Sequence, residues 1–197
     1  MSSPSPLSAP TLPLNRSWLS RLNPSLFGIA LGILGLSSSW QRLVPFGWQI
    51  AQPFAQGLLY LALAILTLLL VLTGVKFILY RSVFMQEFAH PVSGSLFALM
   101  PVCCLVVVIF LRPSHPEWQV AAGVVISLCL ILQAVIAWHI VAALSTGQMP
   151  AELITPALYV PIVPGGFVGA MALYTVGLPG FAMLLMGMGL GGWALLE

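Results

Sequence analysis

The stretch LLYLALAILTLLLVLTGV, residues 58–75, constrains this chain more than any other. It carries no charge and no proline. With its apolar flanks it is long enough to cross about 30 Å of hydrocarbon, which takes about 20 helical residues. A bilayer holds no water to satisfy backbone N–H and C=O groups, so a crossing segment must be a helix or part of a closed barrel. The run lacks the apolar–polar alternation of a barrel strand and reads as a membrane-crossing helix. Five further segments follow the same pattern. The predicted spans are 26–46, 57–80, 91–111, 118–144, 156–177 and 180–197, joined by short connections. The expected fold is an all-α, multi-pass integral membrane protein of about six transmembrane helices.

Composition closes off the alternatives. Charged residues make up 5% of the chain and apolar residues 60%. A soluble domain carries about a quarter charged residues to cover its wet surface. The net charge of +2 gives no basis for a nucleic-acid partner. Residues 1–24 are rich in Ser, Pro and Leu, with Arg16 and Arg21 and no acid. They lack a long apolar core and a cleavage site, so they read as a flexible N-terminal tail rather than a signal peptide. The transmembrane domain is then 25–197.

Basic residues set the expected orientation. With the N-terminus in the cytoplasm, the inner segments carry Arg16, Arg21, Lys76 and Arg81, and the outer ones Arg42 and Arg112. The expected location is the cell inner (plasma) membrane. Trp18, Trp40, Trp48, Tyr80, Trp118 and Trp138 fall near span ends, as an interfacial belt would. The sixth span is still apolar at Glu197, and the expectation is a chain incomplete at its C-terminus.

No catalytic constellation is visible. There is no G-x-S-x-G, no H-E-x-x-H, no phosphate-cradling glycine loop and no Asp. Glu87, Glu117 and Glu152 fall in loops or at span ends, so the first five spans hold no acid for a proton relay. Cys103, Cys104 and Cys129 lie in apolar runs without C-x-x-C spacing, which supports neither a disulfide framework nor a metal site. His139, beside Trp138, reads as an interfacial hydrogen-bonded histidine, and His115 as a solvated one. In EFAHPV, Glu87 and His90 stand three apart and Pro91 follows. Proline suits the first turn of a helix, where its missing N–H has no partner anyway. The three residues therefore read as the start of span three; two candidate ligands do not make a metal site. No enzyme activity and no cofactor are expected.

The residues singled out are glycines and prolines. FGIALGILGL sets Gly28, Gly32 and Gly35 on one helix face. Such a face either lets helices approach closely or borders a pore. Gly187, Gly189, Gly191 and Gly192 in span six raise the same choice. Pro101 falls within span three, and Pro161, Pro164 and the Gly165-Gly166 pair within span five. Proline in a helix interior costs about 3 kcal/mol. In lipid the carbonyl it frees must find a partner or a wet cavity, and transporters use such breaks near the bilayer centre. Spans two and four carry no proline. The odd spans are expected to border a shared path and the even ones to face lipid; simple packing kinks are the other reading.

Four stretches in this order resemble the tellurite-resistance/C4-dicarboxylate transporter family (TehA-like), which includes plant slow anion channels and fungal malate and sulfite carriers. They are NPSLFGIALGILGLSSSWQR, EFAHPVSGSLFALMP, ITPALYVPIVPGGFVGAMAL and GFAMLLMGMGLGGWALLE. The resemblance covers residues 23–197. It implies the first half of a ten-helix pore of five helical hairpins, with odd helices lining the pore. It makes Gly28, Gly32, Gly35, Pro101, Pro161, Gly165 and Gly166 pore-facing or kink residues. The family's pore-blocking phenylalanine lies on the ninth helix, so Phe167 does not take that role. The family often has Asn where Gly165 and Gly166 stand, a change that would alter pore polarity.

The implied activity is transport of small anions by a channel or carrier: C4-dicarboxylate, sulfite, halide or nitrate, or a tellurite-type oxyanion. The implied partners are the bilayer, the anions and further copies of the chain, because half a ring encloses no pore. The competing readings are a non-transporting assembly subunit or inactive fragment, whose glycine faces serve packing alone, and a membrane enzyme, for which no nucleophile–base pair exists.

Overall fold

The structure, a computed structural model, describes residues 18–111, 116–145 and 156–196. All regular structure among them is helical. The α-helices are α1 (Phe27–Gln41), α2 (Ala51–Leu79), α3 (Arg81–Ala89), α4 (Pro91–Leu96), α5 (Leu99–Leu111), α6 (Gln119–Ser145), α7 (Val163–Thr175) and α8 (Pro179–Leu196). The segments Ala51–Leu79, Pro91–Leu111, Gln119–Ser145 and Ala157–Thr175 are each long and apolar enough to cross a membrane. With α1 and α8, of 15 and 18 residues, they account for six spans.

Local chemistry explains where the elements start and stop. Asn23 Oδ1 accepts from Ser25 N at 2.9 Å, and Pro24 follows at the first helical position. This caps the short 3-10 turn that leads into α1. The first hairpin turns through Gly47, whose φ of 87° suits a residue without Cβ. Gly177, with φ 85°, does the same between α7 and α8. Helix α2 begins at Ala51, earlier than expected, because Pro53 sits in its first turn and removes no helical hydrogen bond. The nine-residue α3 was not anticipated; it lies in the connection before span three. Residues 18–24, read from sequence as tail, include the 3-10 turn Trp18–Arg21 and the start of the turn Pro24–Leu26, and Leu19 and Ser20 are buried. Residues 1–17 lie outside the described set.

The spans form three hairpins: α1 with α2, the α4–α5 pair with α6, and α7 with α8. Helix α5 lies between α1 and α7 and packs on both. The odd spans therefore stand side by side as one row, and each even span packs mainly on an odd one. Lipid is as apolar as leucine, so close van der Waals packing and interhelical hydrogen bonds must hold these helices together. Ala30 and Leu34 of α1 meet Ala62, Leu66 and Leu69 of α2 and Cys103 of α5. Ala170, Ala172 and Leu173 of α7 meet Leu105 of α5, Ile126 of α6 and Ala182 of α8. Ser37 Oγ donates to the Ala55 carbonyl at 2.8 Å across the first hairpin. Exposed Leu61, Leu68 and Ile78 on α2, and Leu128, Ile131 and Val135 on α6, fit lipid-facing positions.

Candidate functional site

On α1, Gly32 and Gly35 are exposed, and a Cβ built on either meets no atom within 4 Å. Gly28 is half-buried, with the Leu99 side chain 4.0 Å from the position of its Cβ. Gly32 and Gly35 therefore do not bring another described helix of this chain close. They leave a smooth strip of α1 facing open space.

Span three breaks at Phe97 and Ala98, between α4 and α5. Pro101 is fully buried, in the first turn of α5. A proline ring clashes with the carbonyl four residues back, here that of Phe97, and the break falls at that residue. The backbone then mends itself: Met100 N donates to Phe97 O at 3.1 Å, and Val102 N to Ala98 O at 3.2 Å.

Span five breaks over Val160 to Ile162. Pro161 has no N–H, so the Ala157 carbonyl accepts from Val160 N at 3.2 Å in a tight turn. Pro164 has no N–H either, and Gly165 N reaches back to Val160 O at 3.3 Å, one residue beyond helical register. Gly166 N returns to Ile162 O at 3.0 Å. The Pro161 carbonyl, which a regular helix would have joined to Gly165 N, is left without a backbone donor. It accepts from Gln133 Nε2 of α6 at 2.9 Å. Gln133 is 5% exposed, and its Oε1 has no hydrogen-bond partner.

The adjoining glycines make room for this arrangement. A Cβ on Gly165 would overlap Gln133 Nε2 and lie 2.7 Å from its Cδ. A Cβ on Gly166 would lie 2.9 Å from Gly189 Cα. Both glycines are buried, against α6 and α8 respectively, and both border a cavity between those helices. Pro161 is buried and Pro164 half-buried. In span six, Gly189 packs against Phe167 of α7 and Gly192 against Ile162 just before it, whereas Gly187 and Gly191 meet nothing within 4 Å.

The Glu87, His90 and Pro91 set is divided between two tasks. His90 caps α4, its Nδ1 accepting from Ser93 N at 3.4 Å, with Pro91 at the first helical position. Glu87 turns away to Lys76, whose Nζ lies 2.6 Å from Glu87 Oε2 and 2.7 Å from the Leu22 carbonyl. The Lys76 side chain is 2% exposed, and that of Glu87 28%. This ion pair ties the segment before α1 to α2 and α3. Gly94 is required at the α3–α4 corner, because a Cβ there would run into the Phe88 carbonyl oxygen. His139 Nε2 lies 3.3 Å from the Ala89 carbonyl, and its ring stacks on Phe88. Among the described residues, no group of three or more His, Cys, Asp or Glu side chains is placed to hold a metal ion.

Two of these residues were missed in the sequence. Gln133 was legible as a lone amide inside an apolar span. Lys76 was counted only for orientation, although one basic residue at a span end beside an acid in the next loop is the pattern of an ion pair.

Fold and site together define a polytopic helical membrane protein in which one row of spans carries the helix breaks. A family described as voltage-dependent anion channel matches residues 21–196. The chain belongs to that family, in agreement with the resemblance drawn from its four stretches. No curated protein matches the sequence.

Proposed function

We propose that the chain transports small anions along a path bordered by the odd-numbered spans. The observation that carries this reading is the exposed glycine strip of α1, on a row of odd spans packed side by side. A strip without side chains gives a passing ion width and exposes helix backbone. The absence of Asp and Glu from the middle of the described spans keeps such a path free of fixed negative charge. The anions proposed are C4-dicarboxylate, sulfite, halide or nitrate, and tellurite-type oxyanions. Passage needs no covalent step and no cofactor. A row of three hairpins does not surround a path, and we propose that further helices, of a longer chain or of other copies, complete the wall. The proposed setting is the inner (plasma) membrane, with the N-terminus, Lys76 and Arg81 on the cytoplasmic side.

The test is anion efflux from liposomes under an imposed potential. Chloride, nitrate, sulfite, malate and tellurite would each be compared with protein-free vesicles. Gly32→Leu and Gly35→Leu are expected to lower flux at least about tenfold while the folded fraction stays constant, because nothing within this chain meets the new side chain. Absence of flux for all five anions would sink the reading. If instead Gly32→Leu changes only the oligomeric state, the strip is a docking face for another copy.

A further inference from the structure

We infer that Gln133 is a positioning residue, which holds the bend of α7 from the outer helix α6. The inference rests on the transport reading above and names the group that sets the shape of one path-lining span.

Gln133 sits near the middle of α6, which spans Gln119–Ser145. Its Nε2 donates to the Pro161 carbonyl, which the break in span five leaves without a backbone donor. The direction of that bond is fixed, since a carbonyl accepts only from the NH2 end of an amide. Its Oε1 is then buried without a partner. An orphaned buried acceptor is costly, so the amide is held in place by the Pro161 bond alone. Space for another arrangement exists: a cavity of about 390 Å³ adjoins the amide, with Gln133, Pro161, Trp138, Leu185 and Met188 among its walls. Gly165 belongs to the same device, because any side chain there would expel the amide from its position. In the latched state α7 is bent at Val160–Ile162 and the Pro161 carbonyl is satisfied. Without that bond the Pro161 carbonyl has no donor, and the first turn of α7 is free to move.

Three variants separate the hydrogen bond from packing. Gln133→Met keeps the bulk and removes the donor; it is expected to lower anion flux per folded protein about tenfold. Gln133→Ala with Gly165→Ala trades volume across the contact; it is expected to fold and to show the same loss. Gln133→Glu restores a donor only when the carboxyl is protonated. Its flux is expected to approach the wild-type level at low pH and to fall as pH rises through the carboxyl pKa. No residue lining the cavity carries a charge, so the engineered carboxyl is the titrating group there. A second readout needs no transport: the distance between spin labels on Ile131 of α6 and Val163 of α7, with the three native cysteines replaced by alanine. The Gln133→Met variant is expected to broaden or shift that distance.

An unchanged distance together with unchanged flux in Gln133→Met would overturn the inference. A distance that shifts while the wild type moves no anion would leave the positioning role standing and remove the transport reading.

Discussion

At Pro101 the backbone closes its own break, whereas at Pro161 and Pro164 it borrows a side chain from the neighbouring helix. The difference lies in spacing. One proline in the first turn of α5 displaces one carbonyl, Phe97 O, and Met100 N takes it within the same segment. Two prolines three apart shift the register of Gly165 N and strand Pro161 O. No local N–H remains for it, so Gln133 supplies one across the interface. A single break is thus a local event, while the double break couples two helices and depends on Gly165 and Gly166 for space.

The largest effect that would test this contrast is at Gly166. Gly166→Leu pushes side-chain atoms into the Gly189 backbone, which has no flexible end to yield. The expected loss is about 3 kcal/mol or more, read as loss of monodisperse protein after detergent extraction. Normal thermal stability would show that α7 and α8 separate at little cost.

Next comes the ion pair beside the start of span three. Glu87→Gln leaves the buried Lys76 ammonium with neutral acceptors alone, the Leu22 carbonyl and the new amide oxygen, and no counter-charge. Removing one member of a fully buried pair costs about 3–5 kcal/mol. Partial exposure of Glu87 reduces that to about 2 kcal/mol, measured as a lower melting temperature. Lys76→Met with Glu87→Gln should recover most of the loss, because no buried charge is then left alone.

Pro101→Ala sharpens the comparison directly. It restores an N–H near Phe97 O without disturbing another helix, so stability should change by about 1 kcal/mol or less, in the direction of gain. Pro164→Ala should do more than Pro101→Ala. Its new N–H competes for Val160 O, returns Gly165 N to Pro161 O and displaces the Gln133 amide. Melting curves of the two variants, with the spin-label distance between α6 and α7, decide the point. Equal responses would mean that the two breaks are alike.

The smallest stability change is expected on α1. Gly32→Ala meets no atom and should add up to about 1 kcal/mol through helix propensity alone. A large destabilisation would reveal a neighbour on the open strip, such as a second copy of the chain.

Span number and fold class were legible because hydrocarbon leaves the backbone one economical choice, and apolar runs such as residues 58–75 state it in order. The family was legible in four ordered stretches. The grouping of Gly28, Gly32 and Gly35 on one face followed from helical periodicity. Whether that face packs or stays open was not in the sequence, because glycine serves both ends equally. The cap formed by His90 and Pro91 could be read from two adjacent residues. The pairing of Glu87 with Lys76 could not, since it depends on how α3 folds back onto α2.

The sequence by itself determined that this chain crosses a membrane as helices and that spans three and five are interrupted, because charge content, apolar length and missing proline N–H groups are local properties. Only the tertiary structure decided which freed carbonyl goes to which donor, and that Gly165 faces Gln133 while Gly32 faces open space. Those outcomes depend on which helix lies alongside, and adjacency between spans is set by packing of whole helices rather than by any short run of residues.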